Sequence, residues 1–267
     1  MSLLNPISLL SVSNIGISFG GIHAVDGVTF ETSAGQIFSI IGPNGAGKTT
    51  LFNLISGVYR AESGIVMLGG EDVSTLPPEA LAARGLARTF QNLQIFFRMS
   101  ALENVMVGAH VHEKRRALSH LFGLPSTARE NRGTRDAAMA LLERLHLAGV
   151  TNRSAGSLSY GQLKRLEIAR ALASRPKILL LDEPAAGCNP TETAEIDEII
   201  VEVAKSGVAI VLVEHDMKLV MGVSDRVLVL TQGRMLIEGT PEEVTNAPEV
   251  IEAYLGTGLP TMEASHD

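Results

Sequence analysis

The stretch GPNGAGKTT, residues 42–50, decides the fold. It has the form Gly-x-x-x-x-Gly-Lys-[Ser/Thr], follows the apolar run Gln36–Ile41 and precedes an apolar-periodic segment that starts at Lys48. That spacing predicts a strand, a tight loop and a helix in this order. Gly42, Gly45 and Gly47 let the backbone turn its N–H groups into a cradle for phosphate oxygens. Pro43, Asn44 and Ala46 fill out the loop, Lys48 brings a point charge toward the β- and γ-phosphates, and Thr49, with Thr50 beside it, offers a hydroxyl to Mg²⁺.

Further along, short apolar runs alternate with helical patterns: Ile178–Leu181 before a helix near Thr191–Lys205, and Val208–Val213 before Met217–Val220. Alternation of this kind predicts an α/β fold with a parallel sheet buried on both faces. In ILLLDEP, residues 178–184, Asp182 ends a buried strand as a candidate metal-side carboxylate. Glu183, next to it, is a candidate for orienting or deprotonating an attacking water. Gln91, after the strand-like LARTF, and His215, after Val208–Val213, each end a strand. Each is either a structural polar residue or a functional one, Gln91 through an amide contact to Mg²⁺ or the attacking water and His215 as a donor to the γ-phosphate. Phe19 is either a buried strand residue or a stacking surface for adenine.

SLSYGQLKR, residues 157–165, admits two readings. Ser159 and Gln162 form a capping box ahead of Leu163, Leu166, Ala169 and Leu172, which recur at helical spacing. The same helix start turns backbone N–H groups outward as an anion site. Ser100 and Glu103 make a second capping box. No strand is evident between about Asn92 and Gly156; helical patterns cover Ala101–His110 and Asp136–Leu147, with the polar span His112–Thr134 read as an exposed excursion between them. The polar tail TGLPTMEASHD, 257–267, reads as poorly ordered.

Composition narrows the function classes. Lys and Arg total 22 against 29 Asp and Glu, a formal charge of -7, so nothing marks a nucleic-acid surface. Cys188 stands alone, which excludes an internal disulfide and a cysteine-rich zinc site, and suits a reducing cytosol. The opening MSLLNPISLLSVSNIG lacks the charge and apolar block of a signal peptide, and the most apolar runs fall far short of the ~20 residues of a membrane-spanning helix. Any passage through a membrane is expected to belong to another chain.

Taken in order, the loop at 42–49, Gln91, LSYGQ at 158–162, ILLLDEP at 178–184 and His215 resemble the motif series of ABC transporter ATPase subunits, over about Leu9 to Gly256. GLARTFQN at 85–92, DEPAAGCNP at 182–190, VEHDMKLVMGVSDRVLVLTQG at 213–233 and EAYLG at 252–256 look like the branch that serves branched-chain amino acid importers, which takes Tyr where Tyr160 stands. Cys188 and Asn189 depart from the common Leu and Asp. The resemblance implies a P-loop NTPase (RecA-like) α/β core over 1–91 and 168–256, with an N-terminal antiparallel β sub-domain and a helical sub-domain inserted at 92–167. It implies Mg²⁺ and ATP held by Phe19, 42–50, Gln91 and Asp182, with Glu183, His215, Gln91 and Lys48 catalytic. Leu158, Ser159, Tyr160, Gly161 and Gln162, which match the family's signature sequence, would act in trans in a homo- or heterodimer of ATPase chains. It also implies transmembrane permease subunits gripped through Phe96, Phe97 and Met99, a substrate-binding protein reached through the assembled complex, and a peripheral place on the cytoplasmic membrane face. Other cargoes, such as urea, amides or exported lipopolysaccharide, and a soluble non-transport role are the alternatives.

Overall fold

Strand β3, Ile37–Ile41, is buried along its whole length, and so are β7, Ile178–Asp182, and β8, Ala209–Val213. Such runs suit only the interior of a sheet covered on both faces. In the computed structural model, which describes residues 8–89, 93–109 and 125–255 (without the side chains of 125–131 and Leu255), these strands pair in parallel. With β6, Leu86–Arg88, β9, Arg226–Thr231, and β10, Arg234–Gly239, they form a six-stranded sheet of order β10-β9-β3-β8-β7-β6. The wholly parallel sheet expected from the alternation needs correction at one edge. β10 runs antiparallel to β9, joined through Gln232 and Gly233, both at positive φ, the two-residue turn that favours a hairpin.

A second sheet packs beside it: β1, Leu10–Phe19, β2, Ile22–Thr32, β4, Ser63–Leu68, and β5, Glu71–Asp72, in the order β2-β1-β4-β5 and antiparallel throughout. Leu10, Val12, Val28 and Phe30 meet Phe38 and Ile40 of β3 and Leu51 and Phe52 of α1, Lys48–Ile55, in one core. Phe30 and Phe38 stack at 4.7 Å, fixing the antiparallel layer on the strand that delivers the 42–50 loop.

The opposite face of the larger sheet meets α3, Ala101–Ala109, α4, Pro125–Arg144, α5, Tyr160–Leu172, and α6, Pro190–Lys205. Leu142, Leu145, Leu166 and Ala169 pack there with Leu179, Leu181, Ile210 and Leu212, so the helical region shares its core with the sheet. A third cluster joins Ile41, Val227 and Val229 to α7, Met217–Val223, α8, Pro241–Thr245, and α9, Pro248–Leu255. A short α2, Pro78–Ala83, leads into β6.

Helix α4 opens at Pro125 and ends at Arg144, so the latter part of the expected excursion, residues 125–134, is helix. Apolar spacing missed it because its first turns carry Arg129, Glu130, Arg132 and Arg135, with no stripe to bury. Residues 112–124, Gln91 and the tail 257–267 lie outside the described residues. Among the described residues no helix is long and apolar enough to cross a membrane.

Candidate active site

The 42–50 loop is built by backbone geometry that few residues tolerate. Gly42 has φ +150°, and a Cβ there would lie 2.1 Å from the carbonyl oxygen of Leu230 in β9. Gly47, at φ +101°, would meet the Ala24 carbonyl of β2 at 2.4 Å. Helix α1 starts at Gly47 with no side-chain cap, which leaves a positive N-terminus facing the loop. Lys48 Nζ donates to the carbonyl oxygens of Gly42, at 2.6 Å, and Pro43, at 3.0 Å. Burial lowers its ammonium pKa, and the charges of Glu183 and Asp182 oppose that fall. Thr49 is exposed on the first turn and Thr50 half-buried.

Asp182, 4% exposed at the end of β7, pairs through Oδ2 with Arg88 Nη2 at 3.1 Å. Arg88 also donates to Asn53 Oδ1 at 2.7 Å and Ser56 Oγ at 2.8 Å, both on or just after α1, and sits over the Phe52 ring. Burial raises the Asp182 carboxyl and Arg88 counteracts it. One guanidinium thus ties the helix that starts at Lys48 to the strand that ends in Asp182. Arg88 is not among the residues expected from the motifs; its signal in the sequence is a charged residue in a short, otherwise apolar strand.

Glu183 follows in the left-handed region, φ +48°, a conformation that costs a side-chain-bearing residue about 1–2 kcal/mol. Its N–H donates to Val213 at the end of β8 at 2.9 Å. This turn brings Oε1 to 3.7 Å from His215 Nδ1, with His215 itself 64% exposed. Beneath them lies Glu214, which accepts the N–H groups of Ala185 and His215 at 3.1 Å each and whose carboxyl is raised by burial. Lys48, Asp182, Glu183 and His215 are therefore gathered where three parallel strands end, the crevice in which α/β folds hold ligands.

The 158–162 segment is capped as predicted. Ser159 Oγ accepts the Gln162 N–H at 3.3 Å, and Gln162 Oε1 accepts the Ser159 N–H at 3.0 Å. The expected outward display of free N–H groups needs correction at Gly161. Its N–H donates to Glu192 Oε1 at 3.3 Å, and Ser159 Oγ donates to the same oxygen at 3.3 Å. A Cβ at position 161 would lie 2.4 Å from Glu192 Cδ. Asn189 Oδ1 accepts the N–H groups of Thr191 and Glu192 to cap α6, and the Asn189 N–H donates to Glu192 Oε2 in return, so one carboxylate spans two helix starts. Leu158 is buried, while the exposed Tyr160 ring lies over Gly187. The Ser159 hydroxyl and the N–H groups of Ser159 and Gly161 thus bond to Glu192 and Gln162 of the same chain.

Phe19 is 46% exposed, so it is no buried strand residue; its ring meets Tyr59 edge-on at 5.5 Å. Cys188 is partly buried against the helical core, in line with a packing role. A groove of about 250 Å³ is lined by Ser56, Leu86 and Arg88 of the α/β core and by Gly108, Glu167 and Arg170 of the helices α3 and α5. Arg170 also covers the exposed Phe96 ring, and Phe97 and Met99 beside it are exposed as well. Tyr254 of α9 reaches the Gly42 backbone, and burial raises its phenol to about 12.

A family model described as ABC transporter matches residues 25–186, and one described as branched-chain amino acid ATP-binding cassette transporter matches 234–259. The high-affinity branched-chain amino acid transport ATP-binding protein BraF of Pseudomonas aeruginosa is 46% identical over 249 residues, 93% of this chain and 98% of that protein. The solved ADP conformation of an ATP-binding cassette of an ABC transporter has a TM-score of 0.81 at 33% identity, covering 93% of this chain and 99% of that one. A dimeric ATP-binding cassette bound to ADP and Pi in a post-hydrolysis state gives 0.72 at 25% identity, covering 87% and 98%. With the glycine-built 42–50 loop, a strand-end carboxylate pair and a capped helix start at Ser159 in one chain, and with those likenesses spanning nearly all of it, the protein belongs to the ABC transporter ATP-binding family, in its branched-chain amino acid transport branch.

Proposed function

We propose that this chain is the ATP-hydrolysing subunit of an importer for branched-chain or related apolar amino acids, working as a dimer on the cytoplasmic face of a membrane permease. The observation that carries the ATPase reading is the convergence of Lys48, Asp182, Glu183 and His215 at the ends of β3, β7 and β8. The cargo rests on the branch likeness alone, because nothing in the chain reads an amino acid.

In this reading the 42–50 backbone and Lys48 bind the β- and γ-phosphates, and Lys48 exchanges its two carbonyl partners for phosphate oxygens. Phe19, with Tyr59, supports the adenine ring. The donor set suits Mg²⁺, being hard oxygens only: the Thr49 hydroxyl and the Asp182 carboxylate, whose Oδ2 is already held by Arg88. Gln91 is the further candidate. When bound, the cation would neutralise charge on the phosphates.

Glu183 takes a proton from water as the water oxygen bonds to the γ-phosphorus; the bond from that phosphorus to the β–γ bridging oxygen breaks, leaving ADP and inorganic phosphate. His215 donates to the γ-phosphate from its exposed place beside Glu183. The partner's Ser159 and the partner's Gly161 stabilise the same group in trans, and aligned donors of this kind are each worth ~10²–10³ in rate. The groove beside Arg170 and the exposed Phe96, Phe97 and Met99 supply the surface for the permease.

Purified with its permease and binding protein in proteoliposomes, the complex is expected to take up labelled leucine only with ATP. Competition by isoleucine and valine, and none by urea or amides, is the predicted pattern. Uptake of urea or amides instead would overturn the cargo.

A further inference from the structure

We propose that Lys164 is a positioning residue for Glu183, holding its left-handed backbone by the carbonyl and so fixing the direction of the carboxylate; this rests on the reading of Glu183 as the base. Lys164 lies on the second turn of α5 and is 3% exposed, an unusual depth for a lysine. Its Nζ donates to the Glu183 carbonyl oxygen at 3.3 Å. That oxygen also accepts the Ala186 N–H at 3.2 Å, while the Glu183 N–H is held by Val213. Glu183 at φ +48° is thereby tethered on both sides of its Cα, as a disfavoured conformation must be to persist. Relaxing either peptide would swing Cβ, and with it the carboxylate, away from His215.

The same ammonium sits 5.7 Å from the centre of the Tyr160 ring. The tether therefore originates beside the signature segment and ends at the base of the same chain. Lys164 shares the buried side of α5 with Arg165 and Glu167 as well as Leu163, Ile168 and Leu172, and methionine is the apolar replacement of similar length and volume.

The test compares Lys164→Met, which removes the donor but keeps the shape, with Lys164→Arg, which keeps a donor and adds bulk, in the assembled complex. Steady-state kcat and KM for ATP, ATP binding and melting temperature are read for each, with Glu183→Gln alongside. Lys164→Met is expected to lower kcat roughly ten- to a hundredfold, the cost of a small misplacement of a reacting group, with KM unchanged within about twofold. Lys164→Arg is expected to recover most of kcat. If packing alone matters, the order reverses, with Lys164→Met near wild type and Lys164→Arg impaired, and the proposal falls. Should Lys164→Met not fold, Lys164→Gln, polar but one bond too short, takes its place with the same expected loss. Wild-type turnover in Glu183→Gln overturns the base and this proposal together; loss there with normal turnover in the Lys164 variants overturns this proposal only.

Discussion

The carboxylate of Glu192 accepts the backbone N–H of Gly161 at 3.3 Å, at the spot where the signature helix presents its positive end. An anion from the same chain thus rests where the γ-phosphate of a partner-bound ATP is proposed to lie. Glu192→Gln keeps the length and the cap on α6 but removes the charge. It is expected to lower the ATP concentration needed for half-maximal dimerisation in a Glu183→Gln background by roughly tenfold, the scale of one charge-assisted hydrogen bond. Light scattering against ATP concentration reads the change; an unaltered or raised midpoint contradicts the competition.

Arg88 and Asp182 form a pair whose side chains are almost wholly buried. Replacing Arg88 by Met leaves the carboxylate without its cation, a change that typically costs about 3–5 kcal/mol. For a chain of this size the melting temperature is expected to fall on the order of 10 °C. Differential scanning calorimetry checks it. Lys at this position cannot reproduce the fork to Asn53, Ser56 and Asp182, so Arg88→Lys is expected to recover only part of the loss.

Asp197 on α6 has a buried Oδ1 with no hydrogen-bond partner among the described residues, and its pKa is raised to about 6, first by burial and then by the charges of Asp216 and Glu214. A carboxyl raised in the folded state contributes its stability below the unfolded value near 3.8 and loses it as pH climbs through about 6. After allowance for solvent screening the anion costs about 1 kcal/mol. Asp197→Asn is therefore expected to raise the melting temperature by roughly 2–4 °C at pH 8 and hardly at all at pH 4. A gain of equal size at both values contradicts the assignment.

Much of the fold was legible because its strongest signals are local. The run before Gly42, the run before Asp182 and Val208–Val213 announced buried parallel strands, and both capping boxes formed where their residues stand. The edge hairpin at Gln232–Gly233 and the charged first turns of α4 were not seen, since neither carries an apolar period. At the site, Lys48, Asp182 and Glu183 stood out by motif, and His215 only through the resemblance to the family. Arg88, Lys164, Glu192 and Glu214 did not, because each acts on a partner distant in sequence. Arg88 lies 94 residues from Asp182, and Glu192 lies 31 from Gly161. Such pairings exist only once the sheet has brought the helix starts together.

The most direct measurement is steady-state ATP hydrolysis by Glu183→Gln, with ATP binding read on the same preparation. The amide keeps the shape and the contact with His215 while losing the base. Hydrolysis is expected to drop at least ~10²-fold, the lower bound for loss of a general base, with ATP affinity unchanged. Turnover at the wild-type rate would contradict the account.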